Sequence, residues 1–114
     1  MGKLSTHVLD TTSGKPATNL EISLYKKNET SYELMKTVKT NKDGRCDAPL
    51  LENEEFLSGG YELVFNVAEY FATKNIESEF LQDVVLRFYV TEKSENYHVP
   101  LLITPYSYST YRGS

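Results

Sequence analysis

The dominant period along the chain is two. In LEISLYK, Leu20, Ile22 and Leu24 alternate with Glu21, Ser23 and Tyr25; in YELVFNV, Tyr61, Leu63, Phe65 and Val67 share one face; in VVLRFYVT, Val84, Leu86, Phe88 and Val90 do the same, with Arg87 and Tyr89 opposite. Alternation of this kind marks strands with one face against a core and one toward solvent. Turn-forming clusters separate the runs: Ser13-Gly14-Lys15-Pro16, Asn28-Glu29-Thr30-Ser31, Asn41-Lys42-Asp43-Gly44 and Ser58-Gly59-Gly60. The pattern predicts seven or eight strands, near 4–10, 20–27, 32–39, 48–51, 60–67, 84–91, 97–103 and 106–112, and their spacing suits an all-β antiparallel sandwich. The alternation is least regular in 32–39. One stretch breaks the period: AEYFATKN (68–75) reads as a short helix, and 76–83 as a connection.

Length and composition narrow the classes. The 114 residues carry 39% hydrophobic and 25% charged side chains and a net charge of −4. These values predict one domain, spanning 1–114, with a single core. The charge is opposite to the basic footprint of a nucleic-acid binder. No apolar run reaches the roughly 20 residues of a membrane span. A lone cysteine, Cys46, cannot close an internal disulfide, and the opening MGKLSTHVLD lacks the apolar run of a secretory signal, so the expected setting is cytoplasmic.

The chemistry-bearing residues are few. The only two histidines are His7 and His98, one near each end. In LSTHVLD, Leu4 and Val8 take one face and His7 the other, with Ser5. In YHVPLLI, Val99, Leu101 and Ile103 take one face and His98 the other, with Pro100. If these strands are neighbours, both imidazoles share a non-core face and can act as base and acid near neutral pH; otherwise they are two unrelated surface histidines. Of three arginines, Arg87 is mid-strand, Arg45 follows the turn NKDG, and Arg112 lies in the terminal YRGS. A positive φ at Gly44 would fix the aim of Arg45, making it a candidate oxyanion donor, against the alternative of a solvated turn residue. Cys46, beside Arg45, is either a thiol of lowered pKa or a small packing residue. LENEEF (51–56) reads as a solvated loop, and two histidines without a carboxylate partner make a poor metal set.

Taken together, LSTHVLDTTSGKPA at the start, TNKDGR followed by PLL at 40–51, EYFA after the fifth strand, and YHVPLLITPYSYSTYRGS at the end resemble the transthyretin-like family over essentially the whole chain. His7, Arg45, His98 and the terminal Tyr111-Arg112-Gly113-Ser114 resemble its enzymatic branch, the 5-hydroxyisourate hydrolases, rather than its hormone carriers. The resemblance implies a two-sheet sandwich of about eight strands with one short helix between strands five and six. It also implies a homotetramer, a dimer of edge-paired dimers, in which the first, seventh and eighth strands share a sheet whose outer face lines a channel. On the same basis the substrate is 5-hydroxyisourate, His7, Arg45 and His98 are catalytic, Tyr111 to Ser114 bind substrate, and no metal or organic cofactor is implied. The competing readings are a transthyretin-like binding protein for an aromatic small molecule and an interaction sandwich without a small-molecule site.

Overall fold

The computed structural model describes residues 2–113. Two sheets pack face to face. The first contains β1 (Lys3–Asp10), β2 (Lys15–Pro16), β5 (Leu51–Glu52), β8 (Tyr97–Ile103) and β9 (Tyr108–Thr110). The second runs in the order β4 (Tyr32–Lys39), β3 (Glu21–Lys27), β6 (Gly59–Phe65), β7 (Val84–Val90). One short helix, α1 (Val67–Ala72), follows β6.

The alternation read from the sequence sets the inner faces. Leu4 and Val8 of β1, Ile22 and Leu24 of β3, Tyr61, Leu63 and Phe65 of β6, and Val99, Leu101 and Ile103 of β8 are buried between the sheets. Burying an aliphatic or aromatic side chain of this size contributes about 1.5–3 kcal/mol. In α1, Val67, Tyr70 and Phe71 are buried, the one-face spacing of an amphipathic helix. The helix begins one residue before the predicted start and ends at Ala72; the chain then turns through Asn75, whose φ of 60° is a left-handed helix-ending conformation.

Three further details differ from the expectation. All strand pairs are antiparallel except β1 with β8, which run parallel, Leu4 opposite Tyr97 through Asp10 opposite Ile103. A hairpin enforces antiparallel pairing, but these strands lie at opposite ends of the chain, with the whole second sheet between them. The strand predicted at 48–51 forms a ladder only at Leu51–Glu52; Leu50 still donates its N–H to the Leu4 carbonyl at 2.8 Å, and Pro49 before it has no N–H with which to extend the pairing. The last strand is limited to Tyr108–Thr110, although Gly113 re-enters the sheet as an isolated bridge. The irregular stretch 32–39 does form a strand, with a register shift between Leu24 and Tyr25 of its partner β3.

The edge of β1 opposite β8 is covered in three pieces. Lys3 and Leu4 pair with β5, Leu9 and Asp10 pair with β2, and His7 between them bridges to Arg45. That patchwork brings a loop residue onto the sheet beside a histidine.

Candidate functional site

His7 and His98 meet on the outer face of the first sheet. The parallel register sets Ser5 opposite His98 and His7 opposite Pro100, so the two imidazoles project side by side from neighbouring strands. Their ring centroids are 6.4 Å apart and the planes are inclined by 26°. Both residues are half-buried, whereas Pro100 is buried. Ser5 Oγ lies 2.8 Å from His98 Nδ1. The sequence placed Ser5 on this face without giving it a partner; the signal was its position two residues before His7, which has meaning only once the β1–β8 register is known.

Arg45 is delivered by the turn before it. Asn41 Oδ1 accepts from the backbone N–H groups of Asp43 (2.9 Å) and Arg45 (3.2 Å), and the Asn41 N–H donates to the Arg45 carbonyl at 2.7 Å. Gly44 has φ of 75°, as the turn predicted, and its carbonyl accepts from the Val8 N–H at 2.8 Å. A Cβ there would lie 2.5 Å from the Val8 carbonyl oxygen, so a side chain would force the turn off β1. The result is an exposed arginine bridged to His7, with no ion pair among the described residues.

The C-terminal segment divides. Gly113 pairs with His98 on the side away from β1: its N–H donates to the His98 carbonyl at 2.7 Å. Arg112 leads elsewhere. Its guanidinium stacks 4.1 Å from the Tyr97 ring centroid, bonds the Asn96 carbonyl at 3.0 Å and pairs with Glu95 at 3.1 Å. Tyr111 is exposed and lines, with Arg112, a cleft of about 350 Å³ between the open edges of the two sheets, where Leu86, Phe88 and Val99 supply an apolar wall. Within one chain, therefore, His7, Arg45, His98 and Gly113 converge, while Tyr111 and Arg112 flank them at the sheet edge. Ser114 lies outside the described residues.

Burial and a neighbouring cation lower the pKa of both histidines. Burial pushes the His7 imidazole below its ordinary 6.5, and the Arg45 charge adds to the effect. His98 is lowered by burial first, then by Arg45 and by His7. A cation that disfavours imidazolium also offers five fixed N–H donors to a developing oxyanion. Cys46 is half-buried against the core, and its thiol is raised by burial and by Asp47, so the packing reading holds and the lowered-pKa alternative does not. LENEEF is not the solvated loop expected: Leu51–Glu52 is β5, Asn53–Glu55 is a single 3-10 turn, and Leu51 and Phe56 at its two ends are buried in the core, leaving Asn53 and the three glutamates exposed. Arg87 is an exposed ion-pair partner of Glu62, at 2.7 Å. Among the described residues no three of His, Cys, Asp and Glu converge as metal ligands, and no helix is long and apolar enough to cross a membrane.

Comparison with known proteins places the chain in a family. A family model described as the HIUase/Transthyretin family matches residues 4–113. The 5-hydroxyisourate hydrolase of Mesorhizobium japonicum is 54% identical over 99% of this chain and 93% of its own length, and that of Pseudomonas aeruginosa is 50% identical over 100% and 93%. Among solved structures, Klebsiella pneumoniae 5-hydroxyisourate hydrolase superimposes with a TM-score of 0.85, at 34% identity and with both chains covered in full.

Proposed function

Because the chain belongs to the HIUase/Transthyretin family, we propose that it hydrolyses 5-hydroxyisourate to 2-oxo-4-hydroxy-4-carboxy-5-ureidoimidazoline, a step of urate degradation. The observation that carries this reading is identity of about half the residues, over nearly the full length of both chains, to proteins named for that activity. The outer-face cluster supports it, because ring opening at an acyl C–N bond needs what that cluster offers.

The reaction adds one water across the bond. His7 and His98 orient the water, take its proton and supply one to the departing nitrogen. Both imidazoles are held below 6.5, so they are free bases at neutral pH. As the tetrahedral intermediate forms, negative charge gathers on the carbonyl oxygen. Arg45 stabilises it, its position fixed by the Gly44 turn and the bridge to His7. The turn and the bridge fix the backbone of Arg45, so its guanidinium starts from a defined point beside His7. The terminal segment in this reading borders the planar heterocycle, Gly113 anchored to His98 and carrying Ser114 toward the substrate, while Tyr111 and Arg112 brace the segment from the sheet edge. In this reading residues 1–114 act as one unit in the cytoplasm. They assemble as a homotetramer whose dimers face each other across the sheet that bears the histidines.

The test is direct. 5-Hydroxyisourate is generated in a cuvette from urate and urate oxidase, the protein is added, and the ultraviolet decay is followed. The expected result is decay far faster than the spontaneous rate, lost in His98→Ala. An unchanged decay rate with folded protein would reject the activity.

A further inference from the structure

We infer that Ser5 is a positioning residue for His98, whose hydroxyl donates to Nδ1 and holds the imidazole in the form that carries its proton on Nε2. This rests on the reading of His98 as a site residue, and it separates the roles of the two histidines.

Two stretches of chain flank His98 on β8. On one side Ser5 is the register partner of His98, with Oγ 2.8 Å from Nδ1. On the other side Gly113 is bridged to His98, and a Cβ at Gly113 would lie 3.2 Å from His98 Cδ2 and 3.3 Å from His98 Cβ. Ser5 thus holds the Nδ1 flank, and the backbone of Gly113 lies beside the Cδ2 flank with no room for a side chain between them. Ring geometry then turns the remaining edge, Cε1 and Nε2, away from the backbone and into the space above the outer face.

The direction of the Ser5–His98 bond follows from counting donors. A serine hydroxyl has one proton to place and two lone pairs to offer. Among the described residues, His98 Nδ1 is the only hydrogen-bond partner of Ser5 Oγ. If the hydroxyl donates to Nδ1, its proton and the Nδ1 lone pair are matched together. If Nδ1–H donated instead, the serine proton of a half-buried residue would have no protein acceptor, and leaving a donor unmatched is the costlier arrangement. With Nδ1 accepting, a neutral His98 carries its proton on Nε2.

A fixed Nε2–H makes His98 a hydrogen-bond donor to an acceptor atom of the substrate, and the moving proton then passes through His7. His7 takes a proton from water as the oxygen–carbon bond forms, and charge collects on the carbonyl oxygen beside Arg45. His7 returns that proton to the nitrogen as the carbon–nitrogen bond breaks. One water is added, and both imidazoles end as they began. Ser5 touches no reacting atom; it acts only through the ring it orients.

The experiment combines two measurements. The protein is labelled with ¹⁵N at its two histidines, the ring signals are assigned with His7→Gln, and the tautomer of His98 is read from two-bond ¹H–¹⁵N couplings well above pH 6.5. The turnover of 5-hydroxyisourate is measured on wild type, Ser5→Ala and Ser5→Thr. The expected results are an Nε2–H ring in wild type, and a mixed or reversed tautomer in Ser5→Ala with kcat about tenfold lower and KM within about twofold. Ser5→Thr, which keeps the hydroxyl, should restore the tautomer and most of the rate. An Nδ1–H ring in wild type overturns the inference, as does a Ser5→Ala protein with wild-type tautomer and kcat. If wild type fails to hydrolyse the compound, the proposed activity falls, while the tautomer spectrum still decides the role of Ser5.

Discussion

Tyr70→Phe removes a single oxygen from the scaffold behind the site. The Tyr70 hydroxyl donates to Asp10 Oδ2 at 2.8 Å, and Asp10 Oδ1 accepts from the backbone N–H groups of Thr12 at 2.9 Å and Ser13 at 3.3 Å. Asp10 is 3% exposed and Tyr70 4%, so water cannot readily replace the lost donor. Burial first, and then the Asp10 hydrogen bond and charge, push the phenol well above its ordinary value, which keeps it a donor at every working pH. A hydrogen bond to a charged group contributes about 1.5–3 kcal/mol. The unfolding entropy near 60 °C is about 2.1 cal/mol/K per residue, or roughly 0.24 kcal/mol/K for this length, so Tm should fall by about 6–12 °C. Calorimetry at one fixed protein concentration measures this without interference from subunit association. Asp10 faces the core about 10 Å along β1 from His7, so kcat/KM at 25 °C should stay within about twofold of wild type. A Tm loss below about 2 °C would refute the claim that this buried carboxylate depends on the phenol. A large loss of activity at unchanged stability would refute the separation of scaffold from site.

Three further outcomes are expected. Arg45→Met should lower kcat by about 10²–10³, the usual consequence of removing one oxyanion donor, and should move the acid limb of kcat/KM to higher pH because the cation that lowers both imidazoles is gone; stopped-flow turnover across pH tests both. In wild type the acid limb should have its midpoint below 6.5. The histidines are depressed in the fold, so the unfolded chain binds protons first as pH falls; their stability contribution is full above 6.5 and is lost as pH drops from there through the folded values. Urea midpoints measured beside the rates should show that loss, and an acid limb above 6.5 would contradict it. Gly113→Ala sets a methyl 3.2 Å from His98 Cδ2, tighter than ordinary contact, so the ring or the 2.7 Å bridge must yield; turnover should fall several-fold with little change in Tm, and wild-type kinetics would show that the terminal segment does not brace His98.

The period-two pattern determined most of the architecture. A strand has only two faces, so the positions of Leu20, Ile22 and Leu24, or of Tyr61, Leu63 and Phe65, fix which side meets the core, and the structure buries those residues. The same logic put His7 and His98 off the core face, and the NKDG turn announced a left-handed glycine before Arg45. Local rules could reach no further, because they carry no information about which strand lies beside which. The parallel β1–β8 register joins residues more than ninety positions apart, and it alone sets Ser5 against His98. The bridges of Arg45 to His7 and of Gly113 to His98 depend on the same long-range pairing. The direction of Arg112, toward Tyr97 and Glu95, was likewise decided by what stood next to it in space. The sequence determined the faces and the residue types, because those follow from the geometry of a single strand. The tertiary structure decided the neighbours, because a sheet's lateral order is chosen by the packing of the whole chain.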